Sequence, residues 1–169
     1  MKVDNKLLEN LIKILNYEYT IYSSILEIAT KKTDSLIHIN LDEIRAMTSR
    51  ENELAGQAQQ LNDAREQIIA DICASLGLEN KKIKISELKD KVTGPFKEQL
   101  ENISHKLSDC IDKLQERNRI NQKLIETAIQ YIDFSMQLMV SPQPEASVYG
   151  KTGNEVSGAA KRSVLDIKY

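Results

Sequence analysis

Tryptophan is absent from the 169 residues, phenylalanine occurs twice, and aromatic residues make up only 5%. There are six glycines and three prolines, and no proline precedes Pro95. A β-sandwich or barrel needs more aromatic and turn residues than this. A chain free of proline for its first half has few forced breaks, which points to long helices. No single sign of charge dominates: 23 basic and 25 acidic residues leave a net charge of -2. A nucleic-acid protein would show a basic face. No apolar run approaches 18 residues, so no membrane insertion is expected. The apolar content of 41% is that of a globular chain of about one domain.

Chemistry-bearing patterns are equally scarce. There is no G-x-S-x-G, no P-loop, no GxGxxG and no CxxC. The two histidines, His38 and His105, lie outside any E-x-x-H pair, so the di-iron bundle pattern is missing. Glu101 and His105 are four apart, but read as a solvated face. No enzyme, cofactor or metal is expected. The N-terminus MKVDNKLLENLIK lacks the apolar core of a signal peptide. The expected location is therefore cytoplasmic, with Cys73 and Cys110 as reduced, half-buried thiols.

What is present is helical periodicity. Leu8, Leu11, Leu15, Glu18, Tyr22, Ile25 and Ala29 recur at spacings of three and four, predicting a first helix over about 3–32. A second is expected over 35–76. Thr33, Asp34 and Asn40 are candidate N-caps, and Gly77 is the stop. Ser86 is expected to cap a short connector helix over 86–92. The last helix, 95–140, carries a heptad seam from Phe96 through Leu100, Leu107, Leu114, Asn121, Ile125 and Ile132 to Met139. The expected fold is all-α: an elongated antiparallel three-helix coiled-coil-like hairpin over 1–140, followed by a flexible tail over 141–169 that begins with Pro142 and Pro144.

Pairing the helices gives a register. A turn near residue 34 sets Glu18 level with Glu51, and a turn between Gly77 and Pro95 sets Glu51 opposite Ile120. Glu18, Glu51, Asn118 and Asn121 should then share one polar layer, neutralised by Arg50, Arg117 or Arg119. Such a layer fixes register rather than performing catalysis. On this register helix 1 reaches helix 2 only to about residue 65. Ile68, Ile72, Phe96, Leu100 and Ile103 would form a two-helix end, covered by Ile83, Ile85 and Leu88.

Beside the seam of the last helix lies a second stripe: Ile120, Leu124, Tyr131, Phe134 and Leu138. One helix of a hairpin needs a single apolar face of about 100°, and this segment has more. The surplus suits a docking surface for a partner's amphipathic helix, with methionines that adapt to it. The tail is also unusually apolar, with Val148, Tyr149, Val156, Val164, Leu165, Ile167 and Tyr169.

Three pieces of the sequence resemble the FlgN family of flagellar export chaperones. Leu8, Leu11, Glu18, Tyr22 and Leu26 precede Lys31, Leu36-Ile37 and a helix with Glu51, Leu61 and Arg65. Asn118 to Ile125 is similar to the family's N-x-x-N-x-x-L-[LI] stretch. Val148-Tyr149-Gly150-Lys151-Thr152-Gly153 resembles its Y-G-x-x-G element. The resemblance implies a cytoplasmic chaperone that holds the C-terminal helices of hook–filament junction proteins and delivers them to the flagellar export apparatus. Ile120, Leu124, Tyr131, Phe134, Leu138 and Tyr149 are the expected client contacts. The chaperone is expected to be a monomer or weak dimer. A homodimeric coiled-coil adaptor is the alternative.

Overall fold

A computed structural model describes residues 4–77, 85–89 and 92–140. They form four helices in the order α1 (Asn5–Ile37), α2 (Leu41–Ser75), α3 (Ile85–Lys89) and α4 (Pro95–Val140). No strand occurs among the described residues. The expected all-α class is the one observed. The chain divides into two units, Met1–Ile125 and Glu126–Tyr169. The division thus falls within α4 rather than at residue 140.

The break between the first two helices lies later than expected. α1 continues through Thr33 and Asp34 because the Thr33 hydroxyl turns inward among its helical neighbours, with the Ala29 carbonyl at 3.2 Å. The chain reverses instead at His38–Asn40. The Asn40 N–H bonds the Ser35 carbonyl at 2.9 Å, and the Ile39 N–H bonds that of Leu36 at 3.3 Å. This is a Schellman stop with Ile39 in the left-handed position, at φ 54°. Glycine is the ordinary occupant there, and a β-branched residue is strained. Asn40 is the N-cap that forms: its side chain accepts from the Glu43 N–H. The Glu43 carboxylate in turn accepts from the Ser35 hydroxyl at 2.7 Å, tying the two helix ends together.

The other ends follow the expected chemistry. Gly77 closes α2 at φ 69°, its N–H bonding the Ala74 carbonyl. Gly94, at φ 76°, leads into Pro95, the first residue of α4. α3 differs from expectation. It begins at Ile85, so Ser86 lies inside it, and Val92 is not helical.

In the first unit, side-chain pairs fix the helix directions. Glu18 meets Arg65 and Lys32 meets Glu51, so α1 and α2 run antiparallel, with paired residue numbers summing to 83. Ser23 touches Cys110, and Thr33 bonds Asn121. α1 and α4 therefore run parallel, offset by 87 or 88. Together these registers set residue 51 level with about residue 120, the α2–α4 pairing expected from the sequence. The α1–α2 pairing is the part that changes. Leu8 now lies level with the end of α2, so α1 does cover the end thought to hold only two helices. There Leu8, Leu11, Leu15, Ile72, Leu88, Val92, Leu100 and Ile103 form the core. Ile85 and Phe96 pack against it. Ile83 lies outside the described residues.

The expected single polar layer is two separate levels. Glu18 and Lys32 stand 14 residues apart on α1, about 21 Å along the helix. At the first level Glu18 is almost wholly buried. It accepts from Arg65 at 2.7 and 2.9 Å, and Arg65 also donates to Asn62. At the second level Lys32 pairs with Glu51. Asn121 is buried and accepts from the Thr33 hydroxyl at 2.7 Å, while donating to the Ala29 carbonyl at 2.8 Å. Asn118 is exposed and takes no part in either level. Arg50 and Arg119 pair instead with Glu53 and Glu116 on their own helices. The first unit is thus apolar at the end where α1 begins and polar where α1 ends.

Loss of solvent raises the Glu18 pKa above its ordinary value of 4.5, against the opposing pull of Arg65. The glutamate side chain is 2% exposed and the arginine 25%. Removing Arg65 therefore strands a buried carboxylate, while removing Glu18 leaves a guanidinium still in reach of water and Asn62. In urea denaturation at pH 7, Arg65→Met should cost about 3 kcal/mol and Glu18→Gln no more than about 1 kcal/mol. A raised folded-state pKa contributes stability that is fully present below 4.5 and lost as pH rises through the folded value. Glu18→Gln should therefore cost more at pH 4 than at pH 7. Ile39→Gly should stabilise the chain by about 1 kcal/mol by relieving the left-handed strain.

Candidate functional site

Among the described residues, the longest stretch of exposed large apolar side chains lies at the end of α4. In the second unit, residues 126–140 read ETAIQYIDFSMQLMV. Tyr131 is 71% exposed, Phe134 58%, Leu138 62% and Met139 73%. Ile129, Ile132, Met136 and Val140 are exposed as well. Buried α4 residues such as Leu100, Leu107 and Leu114 all precede this stretch.

Helical geometry sorts these side chains. At about 100° per residue, Glu126, Gln130, Asp133 and Gln137 fall within one polar strip about 60° wide. Phe134, Leu138 and Tyr131 form one apolar face. Ala128, Met139, Ile132, Met136, Ile129 and Val140 continue around to the far edge of the polar strip. Apolar residues thus span about 240° of the circumference, interrupted by Thr127 and Ser135. A surface helix that packs on one neighbour needs about 100°. This one has room for two partner helices.

The heptad seam that runs to Met139 is exposed from Ile125 onward, apart from the half-buried Ser135. Burial of the seam needs neighbouring helices, and sequence periodicity does not say where those neighbours stop. Of the expected client contacts, Tyr131, Phe134 and Leu138 lie together on one exposed face. Ile120 and Leu124 belong to the first unit and are half-buried. Tyr149 lies outside the described residues, as does the whole tail expected to be flexible.

Two smaller apolar features occur in the first unit. Ile37, Ile39 and Leu41 are exposed at the α1–α2 turn. Periodicity places Ile37 and Leu41 in the stripe of the second helix, whereas they flank the turn as the last residue of α1 and the first of α2; Ile39 belongs to no stripe. The strained Ile39 is a signal only the backbone reveals. A shallow groove of about 320 Å³ is lined by Tyr17, Ile21 and Leu61 with Thr20, Gln57 and Gln60.

The described residues hold no group of three or more His, Cys, Asp or Glu placed to bind a metal. His105 lies 3.1 Å from Asp109 on an exposed face, not against Glu101. Cys73 and Cys110 are free thiols and both are buried, more deeply than the half-burial expected. None of the described helices is long and apolar enough to cross a membrane.

Comparison with known proteins places this geometry in context. The family model described as FlgN protein matches residues 1–157. A curated relative, the uncharacterized protein YvyG of Bacillus subtilis (strain 168), is 24% identical over 148 residues, covering 88% of this chain and 90% of that protein. No solved structure matches.

Because Tyr131 and Phe134 pack on little, Tyr131→Ser and Phe134→Ser should shift unfolding stability by less than about 0.5 kcal/mol. Leu107→Ala, in the buried seam, should cost about 2–4 kcal/mol. Parallel denaturation curves of the three variants measure the contrast.

Proposed function

The chain belongs to the FlgN family of flagellar export chaperones, and on that premise we propose that it captures the C-terminal amphipathic helices of hook–filament junction proteins. Tyr131, Phe134 and Leu138 form the capture face. Ile120 and Leu124 are contacts supplied by the first unit, and Tyr149 is a further one. The observation that carries this reading is the large apolar surface left open on residues 126–140. An exposed patch of that kind marks an interaction site or an aggregation hazard.

The physical task is modest. A client segment that assembles into a filament is amphipathic and needs shielding before assembly. The chaperone lends it an apolar partner, in the helix-against-helix mode of peptide recognition. Burying ~600 Å² of apolar surface yields a gross gain of ~15 kcal/mol at ~25 cal/mol per Å². Association and ordering costs remove much of it. What remains is micromolar to nanomolar affinity, tight enough to shield and weak enough to release at the export apparatus without nucleotide. The chaperone works in the cytoplasm, as a monomer or weak dimer.

Calorimetric titration tests the proposal. A hook–filament junction protein should bind the full chain with one-to-one stoichiometry. The triple variant Tyr131→Ser, Phe134→Ser, Leu138→Ser should bind at least about 100-fold more weakly, or about 2.7 kcal/mol, with unchanged thermal unfolding. Equal affinities would overturn the reading. Concentration-dependent dimerisation through the same residues, without client binding, would favour a homodimeric adaptor.

A further inference from the structure

The capture face accounts for only part of the open surface on residues 126–140. A second face remains, formed by Ile129, Ile132, Met136 and Met139, each more than half exposed. It differs from the first in its border. On the helical projection Asp133 and Glu126 lie along its edge, on the side away from Phe134 and Leu138. Residues 126–140 carry no lysine or arginine. This second face is therefore greasy with an acidic margin.

The sequence beyond α4 contains a segment of matching chemistry. Pro142 and Pro144 prevent the helix from running on. Twenty residues after Val140 the chain reads KRSVLDIKY, with Lys161, Arg162 and Lys168 against a single acid, Asp166. Lys161 and Lys168 stand seven apart, the interval that separates Glu126 from Asp133. Val164 and Leu165 sit between the lysines. Twenty residues of chain can reach up to roughly 66 Å. The second face is about 15 Å long, so the reach suffices. Tethering would hold the segment at an effective concentration on the order of millimolar.

We infer that residues 161–169 dock in cis on the Ile129, Ile132, Met136 and Met139 face. The tail's lysines lie along the acidic margin, with Val164 and Leu165 on the apolar side chains. The tail then covers the half of the helix that a single client helix leaves open. This makes the second unit an intramolecular clamp with one vacant face, rather than a helix open all round.

Hydrogen-exchange mass spectrometry on the full chain, without client, tests this. Val164→Asp with Leu165→Asp should speed exchange across residues 126–140 about tenfold, reflecting loss of a cover present about 90% of the time. Asp133→Lys should do the same. Adding Lys161→Glu and Lys168→Glu to Glu126→Lys with Asp133→Lys should restore slow exchange, because both charge pairs are then swapped rather than lost. Unchanged exchange in the Val164 and Leu165 variant would overturn the inference. Protection that rises with protein concentration would also overturn it, by assigning the face to a second copy. No client enters the measurement, so failure of the capture proposal and failure of this one are separate results.

Discussion

The register of α1 is the constraint on which the first unit depends. It is held by two polar contacts at one level and one at another. The Lys32–Glu51 pair and the Thr33–Asn121 bond fix the polar end, and Glu18–Arg65 fixes the middle. Leucine stripes alone leave helices free to slip by a turn, because any leucine packs acceptably on any other. A buried carboxylate does not slip, since leaving it unpaired costs several kcal/mol. These contacts choose one alignment among many greasy ones. They align the start of α1 with the end of α2 and the start of α4, where the large aliphatic residues gather.

The same alignment decides where burial ends. Asn121 meets α1 close to the end of the first unit, which finishes at Ile125. The residues after that keep the composition of a bundle core, with an apolar arc of about 240°. Propensity favours a helix through Val140, and the large apolar side chains of that arc are exposed. A helix apolar around most of its circumference is ordinarily buried by several neighbours. The proposed client helix and the proposed tail segment are two such neighbours, one recruited and one tethered.

Much of the fold was readable from periodicity. The stripes located α1, α2 and α4, and Gly77 and Gly94-Pro95 marked their limits. The α1–α2 turn was hidden because its left-handed position holds Ile39 rather than glycine, and because Thr33 and Asp34 offer cap chemistry that the helix does not use. That displacement carried through to the polar residues. Glu18 and Glu51 were expected to meet, yet each has its own cation, Arg65 and Lys32. Asn118 and Asn121 look alike in sequence, but only Asn121 faces α1. For the candidate site, Tyr131, Phe134 and Leu138 were legible as surplus over one hairpin face. The exposure of Ile125 and Ile132 was not, since a heptad seam reads the same whether or not a partner lies against it.

Site-specific photo-crosslinking tests the central claim most directly. A photoreactive residue is placed at Tyr131, at Ile37 in the α1–α2 turn, or at Tyr17 in the α1–α2 groove, and each chain is irradiated with a hook–filament junction protein. The account predicts a strong adduct from position 131 to the client's C-terminal helix and none from positions 17 or 37. Adducts confined to position 17 or 37 would contradict it.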